Sequence, residues 1–273
     1  MSGILYVVAT PIGNLEDITF RAVRILKEAD LIVCEDTRQT PKLLDHYGIS
    51  KPLLSYHEHN ERARASQLIH ELEAGKTIAL VSDAGTPLIA DPGYRLVESA
   101  RARGIPVSPL PGPSAILAAL SASGLPTDSF LFQGFLPAKT TQRRKLLETL
   151  KAGGVTLVFY ETPHRVLEAL ADIAAILGPR PVVLARELTK IHEEFLSGTA
   201  SEIKQVLEQR PALKGEFVLM IGKGSGVADA EIPVEDAVEE LIRQGVPRMD
   251  ALKTIARQRG LPKREVYKKF DER

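Results

Sequence analysis

The chain carries a dense loop of potential ligand-binding groups between Ser82 and Gly93. The loop reads Ser-Asp-Ala-Gly-Thr-Pro-Leu-Ile-Ala-Asp-Pro-Gly and holds two aspartates, Asp83 and Asp91. It directly follows the apolar run Ile78–Val81, which has the length of a buried strand. Since ligands of α/β proteins bind at the carboxyl ends of parallel strands, we predict that this loop forms part of a ligand site.

Two other predicted strand ends have similar chemistry. Ala9–Leu15 is a Pro/Gly corner ending in Asn and Leu, which can present backbone amides to a polar ligand. It lacks the Gly-x-Gly-x-x-Gly pattern of dinucleotide-binding turns. Leu110–Ala115 ends the strand after the Ser82–Gly93 loop, and its Ser114 could either contact a ligand or cap the next helix.

Three further strand ends each bring an acid and a histidine within a few residues. A lone pair of this kind is usually a surface feature, but its recurrence at equivalent sheet edges favours a functional site. The three strand ends are Tyr56–Glu61 with His57 and Glu58, Phe159–Arg165 with Glu161 and His164, and Ala185–Glu194 with Glu187 and His192. His57 and His59 have the spacing of two metal ligands on one strand face. Glu58 falls on the opposite face and no cysteine is near, so we predict no metal site.

Apolar runs of strand length alternate with helical patterns along most of the chain. The runs are continuous, which indicates a parallel sheet covered by helices on both faces. We predict an α/β fold in three parts: an N-terminal α/β domain over 1–123, a second α/β domain over 124–226, and a helical extension over 227–273.

Composition narrows the class of protein. The 35 Lys and Arg balance 35 Asp and Glu, and 44% of the residues are hydrophobic, as in ordinary globular proteins. The neutral total excludes nucleic-acid binding by bulk charge, so such binding would need local basic patches. The single cysteine excludes an intrachain disulfide, no apolar run approaches the roughly 18 residues of a membrane span, and no export signal is visible. We therefore expect a cytoplasmic protein without membrane contact.

Positive charge is concentrated in two places. Residues 229–240 hold six acids and no base, whereas residues 243–269 hold nine bases and two acids, a local net charge of +7. The periodicity there is helical, with a predicted corner at Gly260–Pro262, and resembles a helix-turn-helix. The second basic segment is a predicted helix over Thr140–Lys151. Basic helices are often merely solvated, but the concentration on the last two helices favours nucleic-acid binding.

Together these segments resemble the ribosomal RNA small-subunit methyltransferase I family of the tetrapyrrole methylase superfamily. The resemblance rests on Ala9–Leu15, Cys34–Arg38, Tyr56–Glu61, Ser82–Gly93, Pro111–Ser114, Phe159–Arg165 and Arg186–Glu194, and spans nearly the whole chain. It implies S-adenosylmethionine bound in a cleft between two α/β domains. It also implies methyl transfer to the ribose 2′-oxygen of a cytidine in the decoding region of 16S rRNA, and a homodimer.

The resemblance assigns cofactor binding to loop residues that match superfamily positions. These are Pro11, Ile12, Gly13, Asp83, Gly85, Thr86 and Ser114. Tetrapyrrole enzymes usually have Gly-x-Gly-x-Pro in the first loop, where this chain has Ala9–Gly13. That departure and the basic C-terminal segment favour RNA over a tetrapyrrole substrate, which is the alternative function. A non-catalytic RNA-binding protein is a third alternative, but it would not need such elaborate strand-end loops.

Methyl transfer to a ribose hydroxyl needs in-line positioning and gains from a group that accepts the hydroxyl proton. The candidate proton acceptors are Glu187, His192, Glu161, Glu58 and His57, and the sequence does not choose among them. RNA contacts are predicted at Arg143, Arg144, Lys145, Arg165, Lys263, Arg264, Lys268 and Lys269. Because the chain has no Trp, an extruded base would stack on Tyr56, Tyr160 or Arg165.

Overall fold

The computed structural model describes residues 3–224, 233–243, 245–259 and 261–271. The chain forms two compact units, one up to Lys223 and one from Gly224 onward. The first unit contains two five-stranded sheets with helices packed on them. The α/β fold with a helical C-terminal part is confirmed.

The first sheet is parallel throughout, as predicted. Its strands are β1 (Leu5–Val8), β2 (Leu31–Cys34), β3 (Leu53–Ser55), β4 (Ile78–Val81) and β5 (Val107–Leu110), in the order β3-β2-β4-β1-β5. All four residues of β4 are buried, which explains its continuous apolar run. Because the strands are parallel, the loops that follow them all emerge at one edge.

Helices cover both faces of the first sheet. The helices are α1 (Phe20–Glu28), α2 (Thr40–His46), α3 (Glu61–Glu73), α4 (Tyr94–Ala102) and α5 (Ala115–Ala122). A short 3-10 turn (Leu15–Asp17) precedes α1. Leu26 of α1 and Leu44 of α2 pack in one apolar cluster, while Leu68 of α3 and Leu96 of α4 pack in another on the opposite side. The two clusters fix the sheet between them.

The second sheet is mixed. Its strands are β6 (Phe130–Phe135), β7 (Thr156–Glu161), β8 (Val182–Arg186), β9 (Glu194–Gly198) and β10 (Phe217–Ile221), in the order β6-β7-β10-β8-β9. Only β6 and β7 pair in parallel; the other neighbours are antiparallel. Strand β9 was not predicted, because it is a half-buried edge strand without an apolar run. Phe217, which begins β10, pairs with Glu161 and with Arg186, so it lies beside the ends of β7 and β8.

Helices α6 (Thr140–Leu150), α7 (Val166–Leu177) and α8 (Ala200–Glu208) pack on one face of the second sheet. The other face is covered by α5, which follows the last strand of the first sheet. Ile116, Ala119 and Leu120 of α5 form an apolar cluster with buried residues of β7, β8 and β10. Helix α5 therefore joins the two sheets into one unit.

The C-terminal unit contains α9 (Val234–Arg243), α10 (Arg248–Gln258) and α11 (Lys263–Asp271). Val238, Leu252 and Val266 are buried where the three helices pack together. The predicted boundary at 226/227, the acidic residues Asp229 and Glu231, and Gly260 of the predicted corner lie outside the described residues. In the part of the chain that the structure describes, no helix is both long enough and apolar enough to cross a membrane.

Candidate active site

A cavity of about 490 Å³ lies between the two sheets, at the ends of their strands. Loops of the first sheet contribute Ile12 after β1, residues 84–86 and 89–91 after β4, and Ser114 after β5. The second sheet contributes the end of β7, Leu188 after β8, and the start of β10. Because β10 is antiparallel to β7 and β8, its first residues lie at the edge where those two strands end. Each sheet therefore lines the cavity with strand ends and the loops next to them.

Backbone hydrogen bonds tie the loops of the first sheet together. The N–H groups of Thr10 and Gly85 each donate to the other's carbonyl oxygen, both at 2.9 Å. The Thr10 hydroxyl donates to the Ser82 carbonyl oxygen at 3.1 Å, and the Thr86 hydroxyl donates to that of Pro113 at 3.2 Å. The loops that follow β4, β1 and β5, which are neighbours in the sheet, are thus fixed to one another at the floor of the cavity.

Of the predicted cofactor residues, the structure places Ile12, Gly85, Thr86 and Ser114 in the cavity lining. The hydroxyl of Ser114 accepts the Leu117 N–H at 3.4 Å as the cap of α5, and Ser114 also lines the cavity, so a ligand contact remains a prediction. The remaining three, Pro11, Gly13 and Asp83, are not among the lining residues.

Gly13 and Asp83 have other surroundings. A Cβ atom on Gly13 would lie 2.5 Å from Cγ of Lys190, so glycine is needed where the first loop meets the loop after β8. The Asn14 N–H donates to the Thr189 hydroxyl at 3.1 Å across the same junction. Asp83 accepts the Asp36 N–H at 3.2 Å and so joins the loops after β4 and β2. Both residues therefore support the cavity wall.

Glu161 is the one predicted proton acceptor that lines the cavity. It is 3% exposed, and its Oε1 accepts hydrogen bonds from the Thr162 N–H at 2.8 Å and from Arg165 Nε at 3.1 Å. Burial raises the pKa of Glu161, while these donors oppose the shift. Its carboxylate is thus already paired with a guanidinium.

The other predicted proton acceptors lie outside the cavity lining. The bond from Lys190 lowers the pKa of Glu187, whose Oε1 also accepts the Glu216 N–H at 3.1 Å, and both effects weaken it as a base. His192 and Glu58 are exposed. The Nε2 atom of His57 lies 3.1 Å from the Asn60 side chain.

Asp91 was not among the predicted catalytic residues, although it belongs to the Ser82–Gly93 loop that was predicted to form part of a ligand site. Asp91 lines the cavity. Burial raises its pKa to about 6, and the negative charges of Glu35 and Asp83 add to the shift. These acids follow β2 and β4, which are neighbours in the sheet but far apart in sequence, so only the strand order reveals that they are close.

Aromatic side chains form the wall opposite Asp91. Tyr160 and the half-exposed Phe135 line the cavity, with ring centroids 5.6 Å apart. The Arg165 guanidinium lies 5.8 Å from the Phe135 ring centroid. Burial raises the pKa of Tyr160 to about 12, and the negative charges of Asp91 and Glu216 contribute. Tyr56, by contrast, is 0% exposed, so the prediction that it stacks on an extruded base is wrong.

The predicted RNA contact at Arg143 is contradicted by its burial. Arg143 is 2% exposed, and its Nε donates to Asp172 of α7 at 2.7 Å. The period of the helix turns this residue inward, whereas Arg144 and Lys145 remain exposed. Lys263, Arg264, Lys268 and Lys269 of α11 are exposed as well. Arg165 is half-buried and paired with Glu161.

The cavity suits the expected S-adenosylmethionine. Its volume falls within the roughly 300–1,000 Å³ of small-ligand sites. Gly85 has a φ of +78°, and its missing side chain leaves the floor open beside Ile12. Apolar walls at Leu188 and Val218 match an adenine ring. The residues present therefore fit the group.

Comparison with known proteins identifies the family. The model of the family described as tetrapyrrole (corrin/porphyrin) methylases matches residues 4–204. Ribosomal RNA small subunit methyltransferase I of Halalkalibacterium halodurans is 53% identical over 272 residues, covering 97% of this chain and 93% of that protein. The proteins of the same name from Xylella fastidiosa and Bacillus subtilis are 48% and 47% identical, over 97% of this chain and 98% and 93% of theirs. The chain belongs to the ribosomal RNA small subunit methyltransferase I family of the tetrapyrrole methylases. The predicted family is thereby confirmed.

Solved structures with a similar fold support the architecture. Diphthine synthase superposes with a TM-score of 0.64 at 13% identity, covering 81% of this chain and 90% of that one. Uroporphyrin-III-C-methyltransferase from Thermus thermophilus superposes with a TM-score of 0.58 at 22% identity, covering 85% and 99%. At these identities the likeness concerns the fold alone.

Proposed function

We propose that the protein transfers a methyl group from S-adenosylmethionine to the ribose 2′-oxygen of a cytidine in the decoding region of 16S rRNA. The observation that carries the proposal is the 53% identity, over 97% of the chain, with a ribosomal RNA small subunit methyltransferase I. The small ribosomal subunit is the proposed partner, the cytoplasm the proposed location, and a homodimer the proposed assembly.

When bound, S-adenosylmethionine supplies an activated methyl group together with its leaving group. The protein's contribution is therefore chiefly to hold the acceptor oxygen in line with that methyl group, which can lower the barrier by about 7–11 kcal/mol. Ile12, Gly85, Thr86 and Ser114 would hold the cofactor from the first sheet. Tyr160 and Phe135 would bind the nucleoside on the opposite wall, since aromatic rings stack on extruded bases.

Transfer of radiolabel from methyl-tritiated S-adenosylmethionine tests the function. We expect label in small-subunit RNA lacking the modification, and nuclease digestion should place it on a 2′-O-methylcytidine. A porphyrinogen offered in place of the subunit should remain unlabelled. Labelled porphyrinogen with unlabelled RNA would support the tetrapyrrole alternative, and label in neither would leave an RNA-binding role.

RNA binding through the C-terminal segment can be tested separately. Replacing Lys263, Arg264, Lys268 and Lys269 together by Gln should weaken RNA binding, because exposed Lys and Arg side chains at these positions can neutralise RNA phosphates. Removing four such contacts should flatten the slope of log affinity against log salt concentration by about 3. Truncation after Gly226 should give at least this effect. Affinity for S-adenosylmethionine, measured by calorimetry, should be unchanged; an unchanged salt slope in both variants would contradict this role.

A further inference from the structure

Asp91 differs from the other acids that line the cavity, because those acids are paired with cations. Glu161 is paired with Arg165, and Glu216 is largely exposed and paired with Lys190. Asp91 has no cation partner among the residues that the structure describes, and the group that favours its charged form is the neutral Ser82 hydroxyl. A carboxylate without a cation keeps its basicity, whereas a guanidinium or ammonium partner lowers it.

The loop backbone holds Asp91 in place. Leu88 and Ala90 adopt left-handed φ values of 73° and 65°, and Gly93 has a φ of 136°. Non-glycine residues rarely adopt such angles unless the surrounding structure imposes them, and they cluster at functional sites. Here Leu88 contacts Gly93, where a Cβ atom would come within 3.1 Å of a Leu88 methyl carbon. The loop around Asp91 is therefore held in a strained backbone conformation, and this conformation places Asp91 in the cavity lining.

Charged and titratable groups face Asp91 from both sheets. Glu35 after β2 and Asp83 after β4 are close enough for their charges to act on it. Across the cavity, the Asp91 charge acts on the Tyr160 hydroxyl of β7. Glu161, His164 and Glu216 line the same cavity from the second sheet. Asp91 thus lies opposite the aromatic wall to which we assign the nucleoside.

We infer that Asp91 accepts the proton of the ribose 2′-hydroxyl during methyl transfer, an inference that rests on the proposed function. The hydroxyl oxygen bonds to the methyl carbon, whose bond to sulfur breaks with its electron pair left on sulfur. The O–H proton passes to an Asp91 carboxylate oxygen. Charge balances, because a sulfonium cation and a carboxylate anion become a thioether and a carboxylic acid.

The raised pKa of Asp91 suits this role at neutral pH. At about 6, the pKa leaves the carboxylate ionised near pH 7 while making it a stronger base than an ordinary aspartate. The single-turnover rate of the wild-type protein should rise about tenfold per pH unit below 6 and level off above it. Glu35→Gln removes a neighbouring negative charge and should move this midpoint to lower pH.

Asp91→Asn is the central test. The single-turnover rate at saturating cofactor should fall by about 100- to 10,000-fold, the usual contribution of a positioned base. The Kd for S-adenosylmethionine should stay within threefold of wild type. Glu98→Gln, which removes an exposed acid from α4, is the matched control and should leave both unchanged. A rate for Asp91→Asn within tenfold of wild type, or a matching loss of cofactor affinity, would overturn the inference.

Thermal unfolding gives a readout independent of activity. Because the folded pKa of Asp91 is raised, its ionisation destabilises the fold as pH rises through about 6. Asp91→Asn should therefore unfold about 2 to 4 °C higher than wild type at pH 8 and at the same temperature at pH 4. A lower melting temperature at pH 8 would mean that the carboxylate is structural, contradicting the inference. Absence of methyl transfer by the wild type would instead refute the proposed function itself.

Discussion

Arg143→Ala is expected to lower the free energy of unfolding by about 3–5 kcal/mol, the usual cost of leaving one partner of a buried ion pair alone. The Arg143 side chain is 2% exposed and is bonded through Nε to Asp172 at 2.7 Å. Its Nη1 also donates to the carbonyl oxygens of Pro137 and Ala138, and its Nη2 to Glu168 at 3.3 Å. One guanidinium thus satisfies acceptors on α7 and in the turn before α6.

Arg144→Ala is the matched control for this variant. Arg144 is adjacent in sequence and carries the same charge, but its side chain is 54% exposed and reaches Asp172 only at 3.5 Å. Its loss should change stability by less than about 1 kcal/mol. Urea denaturation followed by circular dichroism measures both variants. Equal midpoints for the two would show that burial of the Arg143–Asp172 pair contributes nothing, contrary to our expectation.

Gly85→Val should raise the Kd for S-adenosylmethionine by at least about 100-fold, which is 2.7 kcal/mol. Gly85 has a φ of +78°, where a β-branched residue is strongly disfavoured. A Cβ atom would lie 3.4 Å from the Ile12 side chain, so the γ-methyl groups would enter the cavity or displace Ile12. Either movement would disturb the paired hydrogen bonds between Thr10 and Gly85.

Gly104→Val separates the backbone effect from the effect on the site. Gly104 has a φ of +68° after α4, and a Cβ atom there would meet nothing within 4 Å. It should show a comparable loss of stability with normal cofactor affinity. Calorimetric titration measures both affinities. A Kd for Gly85→Val within tenfold of wild type would show that the cofactor does not lie against this loop.

Local sequence patterns predicted the elements whose signals are local. The continuous apolar run Ile78–Val81 correctly indicated a buried parallel strand, and Ser114 has the geometry of a helix cap. Edge strand β9 was missed because half-buried residues at a sheet edge leave no apolar pattern.

The residues whose roles were missed or wrongly predicted depend on contacts between distant segments. Arg143 and Asp172 are 29 residues apart, so nothing near Arg143 distinguished it from Arg144. Burial raises the pKa of Asp91, and the charge of Glu35 adds to the shift because β2 and β4 are adjacent, which the order of the chain does not reveal. Two of the predicted proton acceptors, Glu161 and Glu187, are instead paired with Arg165 and Lys190, and only the folded structure shows that these neighbours in sequence form ion pairs.

The packing of helix α5 has a consequence for how far the cavity can open. The N-cap residue Ser114 lines the cavity, while Ile116, Ala119 and Leu120 of the helix are buried against the second sheet. Moving the two sheets apart would expose these apolar side chains to water, which costs a free energy of about 1.5–3 kcal/mol for each large side chain. The width of the opening is thus set by this packing before a substrate binds. Under the proposed function, the RNA rather than the protein would have to rearrange for its ribose to enter the cavity.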